Sequence, residues 1–142
     1  MSSFIHEEYP VAKGDYTRAG EASADIKRRL KQLGVSSNVM RKVAVASYEV
    51  ELNLVIHSLG GKLMLDVGTD GVLLVSEDVG PGIPDIAMAM REGYSTASEE
   101  ARSLGFGAGM GLPNMKRNAD EFSIESELGV GTTIAMRFRL AG

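Results

Sequence analysis

Three groups of residues in this chain could do chemistry together. Glu49, Asn53 and His57 recur at four-residue intervals through a stretch of helical periodicity. Each four-residue step advances about 40° around a helix, so the three fan over roughly 80° of one face in a column about 12 Å tall. A carboxylate, an amide and an imidazole then point the same way, which suits a general base beside a metal ligand. A polar flank facing water is the alternative, with His57 as a packing or capping residue. The second group, Asp78-Val79-Gly80-Pro81-Gly82-Ile83, follows the apolar run Val72-Leu73-Leu74-Val75. An ionised aspartate only accepts hydrogen bonds, so Asp78 at a strand end can take the exocyclic amino hydrogens of adenine. Guanine has a carbonyl there, and two facing acceptors cost about 1–3 kcal/mol. Gly80 and Gly82 let the backbone approach a flat base closely, although an Asp-Gly-Pro-Gly turn alone would explain them. The third group is Gly105, Gly107, Gly109 and Gly111, ahead of a predicted helix. Bare backbone N–H groups at a helix start form an anion site. The spacing is not that of a Walker A loop, and no strand leads straight into it as a dinucleotide fold requires. A surface loop is the plain alternative.

Composition narrows the classes further. The chain has 142 residues, 44% hydrophobic and 24% charged, ordinary values for one globular domain with a real core. A formal net charge of −4 and a pI near 5.2, with no basic stripe, argue against nucleic acid as a partner. Lys27, Arg28, Arg29 and Lys31 do cluster, and are expected on a solvated helix face. There is no cysteine, which excludes a disulfide framework, a thiolate nucleophile and cysteine-ligated zinc. Residues Met1 to Tyr9 include His6, Glu7 and Glu8 rather than a basic region and an apolar core. No apolar run approaches the ~20 residues needed to span a bilayer, so a cytoplasmic protein without a membrane partner is expected.

The elements that must hold these groups follow from periodicity. Residues 4–12 read as extended, and Asp15 is a plausible N-cap for a helix to Leu33 with Ala19, Ala22, Ile26, Leu30 and Leu33 on one face. Gly34 ends it. Ser36 or Ser37 opens a longer helix to about Leu59, with Val43, Val50 and Leu54 buried opposite the polar column. Lys62–Val67 and Val72–Glu77 form a hairpin around Thr69-Asp70-Gly71, and the second strand is apolar enough to be central. Residues Pro81 to Met115, with one short helix near Ile86–Arg91, form a binding loop or lid. A helix over Met110–Ala119 and strands over Phe122–Glu127 and Thr132–Leu140 complete the chain. The expectation is a single α+β domain over residues 1–142, a two-layer sandwich with a mixed, mostly antiparallel sheet and helices on one face.

Taken jointly, the motifs resemble the Bergerat-type (GHKL) ATP-binding fold of histidine kinases, gyrase-type ATPases and anti-sigma serine kinases. Glu49 with Asn53 looks like the N box, Asp78-Val-Gly80-Pro-Gly82-Ile83 the first glycine box, and Gly105 to Gly111, leading into Leu112, the second. Gly129-Val-Gly131-Thr132-Thr133 looks like the last motif, whose threonine helps hold the adenine. More narrowly, Glu77 to Asp85, Met90-Arg-Glu-Gly-Tyr-Ser95-Thr96 and Gly109-Met-Gly-Leu-Pro113 to Phe122 are similar to the stressosome switch kinases (RsbT type). The resemblance implies ATP and Mg²⁺, with Glu49 orienting the attacking hydroxyl and Asn53 ligating the metal. His57, Asp78, Gly80, Gly82, Ile83, the lid glycines, Leu112 and Thr132 would line the nucleotide. It also implies phosphorylation of a serine or threonine on a STAS-domain protein, and a downstream output protein such as a phosphatase.

Two other functions compete. An anti-sigma factor of the same fold would chiefly sequester a sigma factor, and a degenerate scaffold would bind ATP without transfer. The Gly93-Tyr-Ser-Thr96 and Lys116-Arg-x-x-Asp-Glu-Phe122 stretches favour the kinase, and intact Glu49 and Asn53 oppose the scaffold. The helix predicted over Asp15–Leu33 contains no histidine, so it offers no phosphoacceptor for a histidine autokinase.

Overall fold

The protein is described by a computed structural model covering residues 3–15, 17–80, 82, 83, 86, 90 and 111–140. Among the described residues, five strands and three helices run in the order β1 (Ser3–Val11), α1 (Glu21–Gln32), α2 (Ser37–His57), β2 (Gly61–Gly68), β3 (Gly71–Asp78), α3 (Gly111–Asn118), β4 (Glu121–Glu127) and β5 (Gly131–Arg139). The strands form one sheet in the order β1-β2-β3-β5-β4. All four strand pairings are antiparallel, so no parallel pair is found among the described residues. β3, with its apolar run Val72–Val75, is the middle strand, paired with β2 on one side and β5 on the other.

Alternation decides which face is covered. Leu63, Leu65 and Val67 on β2, Val72 and Leu74 on β3, and Ile134, Met136 and Phe138 on β5 are buried. They meet Ala22, Ile26 and Leu30 from α1, Val43, Ala46, Val50 and Leu54 from α2, and Leu112 and Met115 from α3. Three- and four-residue spacing on the helices and two-residue spacing on the strands thus interlock as two layers.

Most boundaries fall within a residue or two of expectation, but the start of α1 does not. Asp15 is not its N-cap: that position is Gly20, at φ 101°, with no side-chain cap of its own. The first turn is held from α2 instead. The buried Glu51 carboxylate accepts from the Gly20 and Ala22 N–H groups through Oε2 (3.0 and 3.1 Å) and from Ser23 N–H through Oε1 (3.0 Å). Ser36 does cap α2, accepting from Val39 N–H. The basic cluster divides: Lys27, Arg28 and Lys31 are exposed, whereas Arg29 pairs with Glu7 on β1 and with Asp25. Asp25 also accepts from the Tyr9 hydroxyl at 2.6 Å, pinning α1 to β1. Among the described residues no helix is long and apolar enough to cross a membrane.

Candidate functional site

The inner face of the sheet and the side of α2 meet at one end of the molecule. Reciprocal backbone bonds hold them there: Leu59 N–H donates to the Val79 carbonyl (2.7 Å) and Val79 N–H to the Gly60 carbonyl (3.0 Å). The end of α2 is therefore docked on the residue that follows Asp78. Gly80 N–H, in turn, donates to the Val130 carbonyl (3.1 Å), fastening the glycine turn to the β4–β5 hairpin.

Asp78 ends β3 and is half-buried. Its Oδ1 accepts from the Thr132 N–H at 2.9 Å, while no donor reaches Oδ2 among the described residues. One oxygen is thus fixed and the other is left for a ligand. Burial pushes the Asp78 carboxyl above the usual aspartate range, and the Thr132 bond partly opposes this. The hairpin approaches so closely that a Cβ on Gly131 would lie 2.0 Å from the Asp78 carbonyl oxygen. Gly82 adopts φ 78°, and a Cβ there would sit 2.7 Å from the Glu127 carbonyl oxygen, so a side chain is excluded twice over. Ile83 N–H donates to Ser126 Oγ (2.7 Å), and Ser126 Oγ lies 2.9 Å from Thr132 Oγ1.

Glu49 and Asn53 lie one turn apart on α2 and converge on the start of α3. A Cβ on Gly111 would be 3.3 Å from both Glu49 Oε2 and Asn53 Oδ1. Asn114, one turn further along α3, donates through Nδ2 to Glu49 Oε1 at 3.5 Å. Burial raises the Glu49 carboxyl above the ordinary glutamate range, with the Asn114 amide opposing. A raised pKa makes this carboxylate a better proton acceptor than a solvated one.

The expected residues are therefore placed unevenly. Glu49, Asn53 and Gly111 come together on one side, and Asp78, Gly80, Gly82, Ile83 and Thr132 on the other, joined by the α2–Val79 bonds. Leu112 is a core residue by its side chain, since it is buried with Met115. His57 is the last residue of α2, and its side chain lies outside the described part. Gly105, Gly107 and Gly109, and the short helix expected near Ile86–Arg91 apart from Ile86 and Met90, also lie outside the described residues. Two residues went unnoticed in the sequence, Ser126 and Asn114. Their only signals were positions beside Thr132 across a hairpin and one turn after Gly111.

Among the described residues no group of three or more His, Asp or Glu side chains could hold a metal ion by itself. The Asn53 and Glu49 oxygens facing Gly111 do suit a hard cation that takes its remaining ligands from phosphates and water. A surface depression lined by Asp70, Asp120, Glu121 and Arg139 lies at the opposite end of β3 and β5 and includes none of these residues.

The chain is similar to known proteins. Residues 37–142 match the family model described as histidine kinase-, DNA gyrase B-, and HSP90-like ATPase. The chain is 36% identical over 108 residues to the serine/threonine-protein kinase RsbT of Bacillus subtilis, covering 73% of this chain and 75% of RsbT. It is 32% identical over 116 residues to an anti-sigma F factor of Geobacillus kaustophilus, covering 78% and 76% of the two chains. An anti-sigma F factor of Clostridium kluyveri is 32% identical over 111 residues, with 75% of each chain covered.

Proposed function

The chain belongs to the histidine kinase-, DNA gyrase B- and HSP90-like ATPase family, and from that membership we propose that it is an ATP-dependent serine/threonine protein kinase of a partner-switching pathway. The observation that carries this reading is the convergence of Glu49 Oε2 and Asn53 Oδ1 on Gly111, with Asp78 Oδ2 open at the sheet end. Likeness to a chain named a serine/threonine-protein kinase supports it.

In this reading all 142 residues work as one nucleotide-binding unit. Asp78 accepts the exocyclic amino group of adenine, and the turn through Gly80, Gly82 and Ile83 packs along the base beside Thr132. Gly105, Gly107, Gly109, Gly111 and the start of Leu112 would supply N–H groups to the phosphates, and His57 would be a further nucleotide-binding residue. Asn53 would hold Mg²⁺, which would supply neutralisation of phosphate charge. Glu49 orients the acceptor hydroxyl and takes its proton as that oxygen bonds to the γ-phosphorus and the bond to the β–γ bridging oxygen breaks, releasing ADP. Such transfer passes through a loose transition state and depends more on positioning than on base strength. The acceptor is a serine or threonine on a STAS-domain scaffold or antagonist protein of a cytoplasmic stress-signalling (stressosome) pathway. A downstream phosphatase or other output protein would receive the signal.

A second reading, an anti-sigma factor that sequesters a sigma factor, is favoured by the likeness to chains named anti-sigma F factor. One experiment separates the two. The protein is incubated with Mg-ATP and candidate STAS-domain proteins, any phosphate is located by mass spectrometry, and a parallel pull-down tests sigma factors. Phosphate on a STAS serine or threonine is the expected result. Tight capture of a sigma factor without transfer would overturn the kinase reading in favour of the second.

A further inference from the structure

Ser76 stands on the inner face of β3, one alternation before Asp78, and nothing in the proposed reaction uses it. It is only 3% exposed, yet its hydroxyl has no hydrogen-bond partner among the described residues. Every fully buried side-chain nitrogen or oxygen among the described residues does have a partner. The little surface that Ser76 keeps therefore includes its Oγ. Its neighbours decide where that surface opens. Leu63 on β2 and Ile134 on β5 stand opposite Ser76 in the sheet, and Leu74 precedes it on the same face. These three are 0%, 4% and 0% exposed, so they close three sides. On the fourth side the paired residues Gly61 and Asp78 are only partly buried. The hydroxyl thus opens toward Asp78. Two strand residues span about 6.6 Å, so one ligand bound to Asp78 can also reach Ser76, directly or across one water.

We infer that Ser76 is a further base-binding residue, whose hydroxyl donates, directly or through one water, to a ring nitrogen flanking the adenine amino group. The inference rests on the reading of Asp78 as the adenine acceptor. A base seated on Asp78 shuts the opening through which water reaches Ser76 Oγ. A hydroxyl stripped of water without a new partner costs about 1–3 kcal/mol, so an unpaired Ser76 would oppose binding. Adenine supplies the partner. Its amino group is taken by Asp78, and N1 and N7 on either side of that group are bare acceptors, while a serine hydroxyl has one proton to give. The sign of the effect is therefore decisive. A paired hydroxyl strengthens ATP binding, and one left unpaired weakens it.

The test measures binding of ATP, 1-deaza-ATP and 7-deaza-ATP calorimetrically for the full chain and for Ser76→Ala, with the ligand-free Tm of each. Ser76→Ala should weaken ATP binding about fivefold, the worth of one net hydrogen bond. Its ligand-free Tm should not fall, since the hydroxyl has no protein partner to lose. The analogue that lacks the partner nitrogen should bind the wild type more weakly than ATP does, and Ser76→Ala should cost it nothing further. The other analogue should lose as ATP does. ATP bound as tightly or more tightly by Ser76→Ala overturns the inference while leaving adenine recognition by Asp78 intact. A clear fall in ligand-free Tm, or an equal loss for all three nucleotides, marks a structural role and overturns it too. Full ATP affinity in Asp78→Ala would instead sink the Asp78 reading and the inference with it.

Discussion

Glu49 and Glu51 are separated by one residue, and their environments give them different work. Glu49 is half-buried beside Gly111 and Asn114, with its carboxyl raised by burial. Glu51 is buried and committed to three backbone donors of another helix. Glu49→Gln keeps the size and one acceptor oxygen but removes the charge. ATP affinity should stay within a few fold, while single-turnover transfer to the partner at saturating Mg-ATP should slow by about 10²–10⁴. A full rate in that variant would remove Glu49 from the reaction, and Glu51 is too fully engaged to replace it. Asp78 gives a pH test. Its folded carboxyl is raised by burial, so it takes up a proton at a higher pH than an ordinary aspartate. Only the ionised form is a pure acceptor, so ATP affinity should fall on acidification starting above the usual aspartate range. Free of ligand the sign is opposite: a raised carboxyl favours the folded state below its unfolded pKa, and that gain is lost as pH rises through the folded one. Calorimetric titration of ATP across that range checks the first effect, and an affinity flat until the ordinary aspartate pKa would refute it. Glu49, Asn53, Asp78 and Thr132 were singled out from the sequence because each sits in a short local pattern. Ser126 and Glu51 were not, since their roles depend on partners 43 and 28–31 residues away.

The helices illustrate what local signals can and cannot define. α2 starts where Ser36 says it should, because its cap is made within one turn of sequence. α1 starts at Glu21 rather than beside Asp15, because the acceptor that satisfies its first N–H groups comes from the middle of α2. Local capping logic has no access to such a contact. Its energetic consequence is large, since Glu51→Ala would leave the N–H groups of Gly20, Ala22 and Ser23 without an acceptor. A loss of about 3 kcal/mol is expected, more than a typical single cap and in line with removal of a buried charged acceptor. Glu51→Gln retains an acceptor oxygen and should lose less. Urea unfolding followed by circular dichroism measures both, and a loss below about 0.5 kcal/mol for Glu51→Ala would mean that α1 does not depend on this cap. The strands were easier to read. β3 is apolar from Val72 to Val75 and proves central, and the Thr69-Asp70-Gly71 turn joins it to β2 as the hairpin signal required.

For the whole molecule, the candidate site is a junction. A nucleotide reading Asp78 and Thr132 at one end and reaching Asn53 and Gly111 at the other would tie β3, β5, α2 and α3 into one bound unit. Ligands that bind only the folded state stabilise it by mass action, by about 2.7 kcal/mol at a concentration 100 times Kd. For a chain of this size each kcal/mol moves Tm by roughly 2–4 °C, so saturating Mg-ATP should raise it by roughly 5–11 °C. The dependence on the ligand's chemistry is more telling than the size. Mg-GTP at equal concentration should raise Tm less, because Asp78 opposes the guanine carbonyl. ATP with a chelator should also raise it less, because phosphate charge near Glu49 would be uncompensated. Asp78→Ala should abolish most of the Mg-ATP shift, measured against the variant's own ligand-free Tm because the substitution also removes the Oδ1 acceptor of the Thr132 N–H. Differential scanning calorimetry across these conditions decides the matter. Equal shifts with Mg-ATP and Mg-GTP would show that the sheet end does not read the base, and no shift with either would mean that the two halves of the site do not close on one nucleotide.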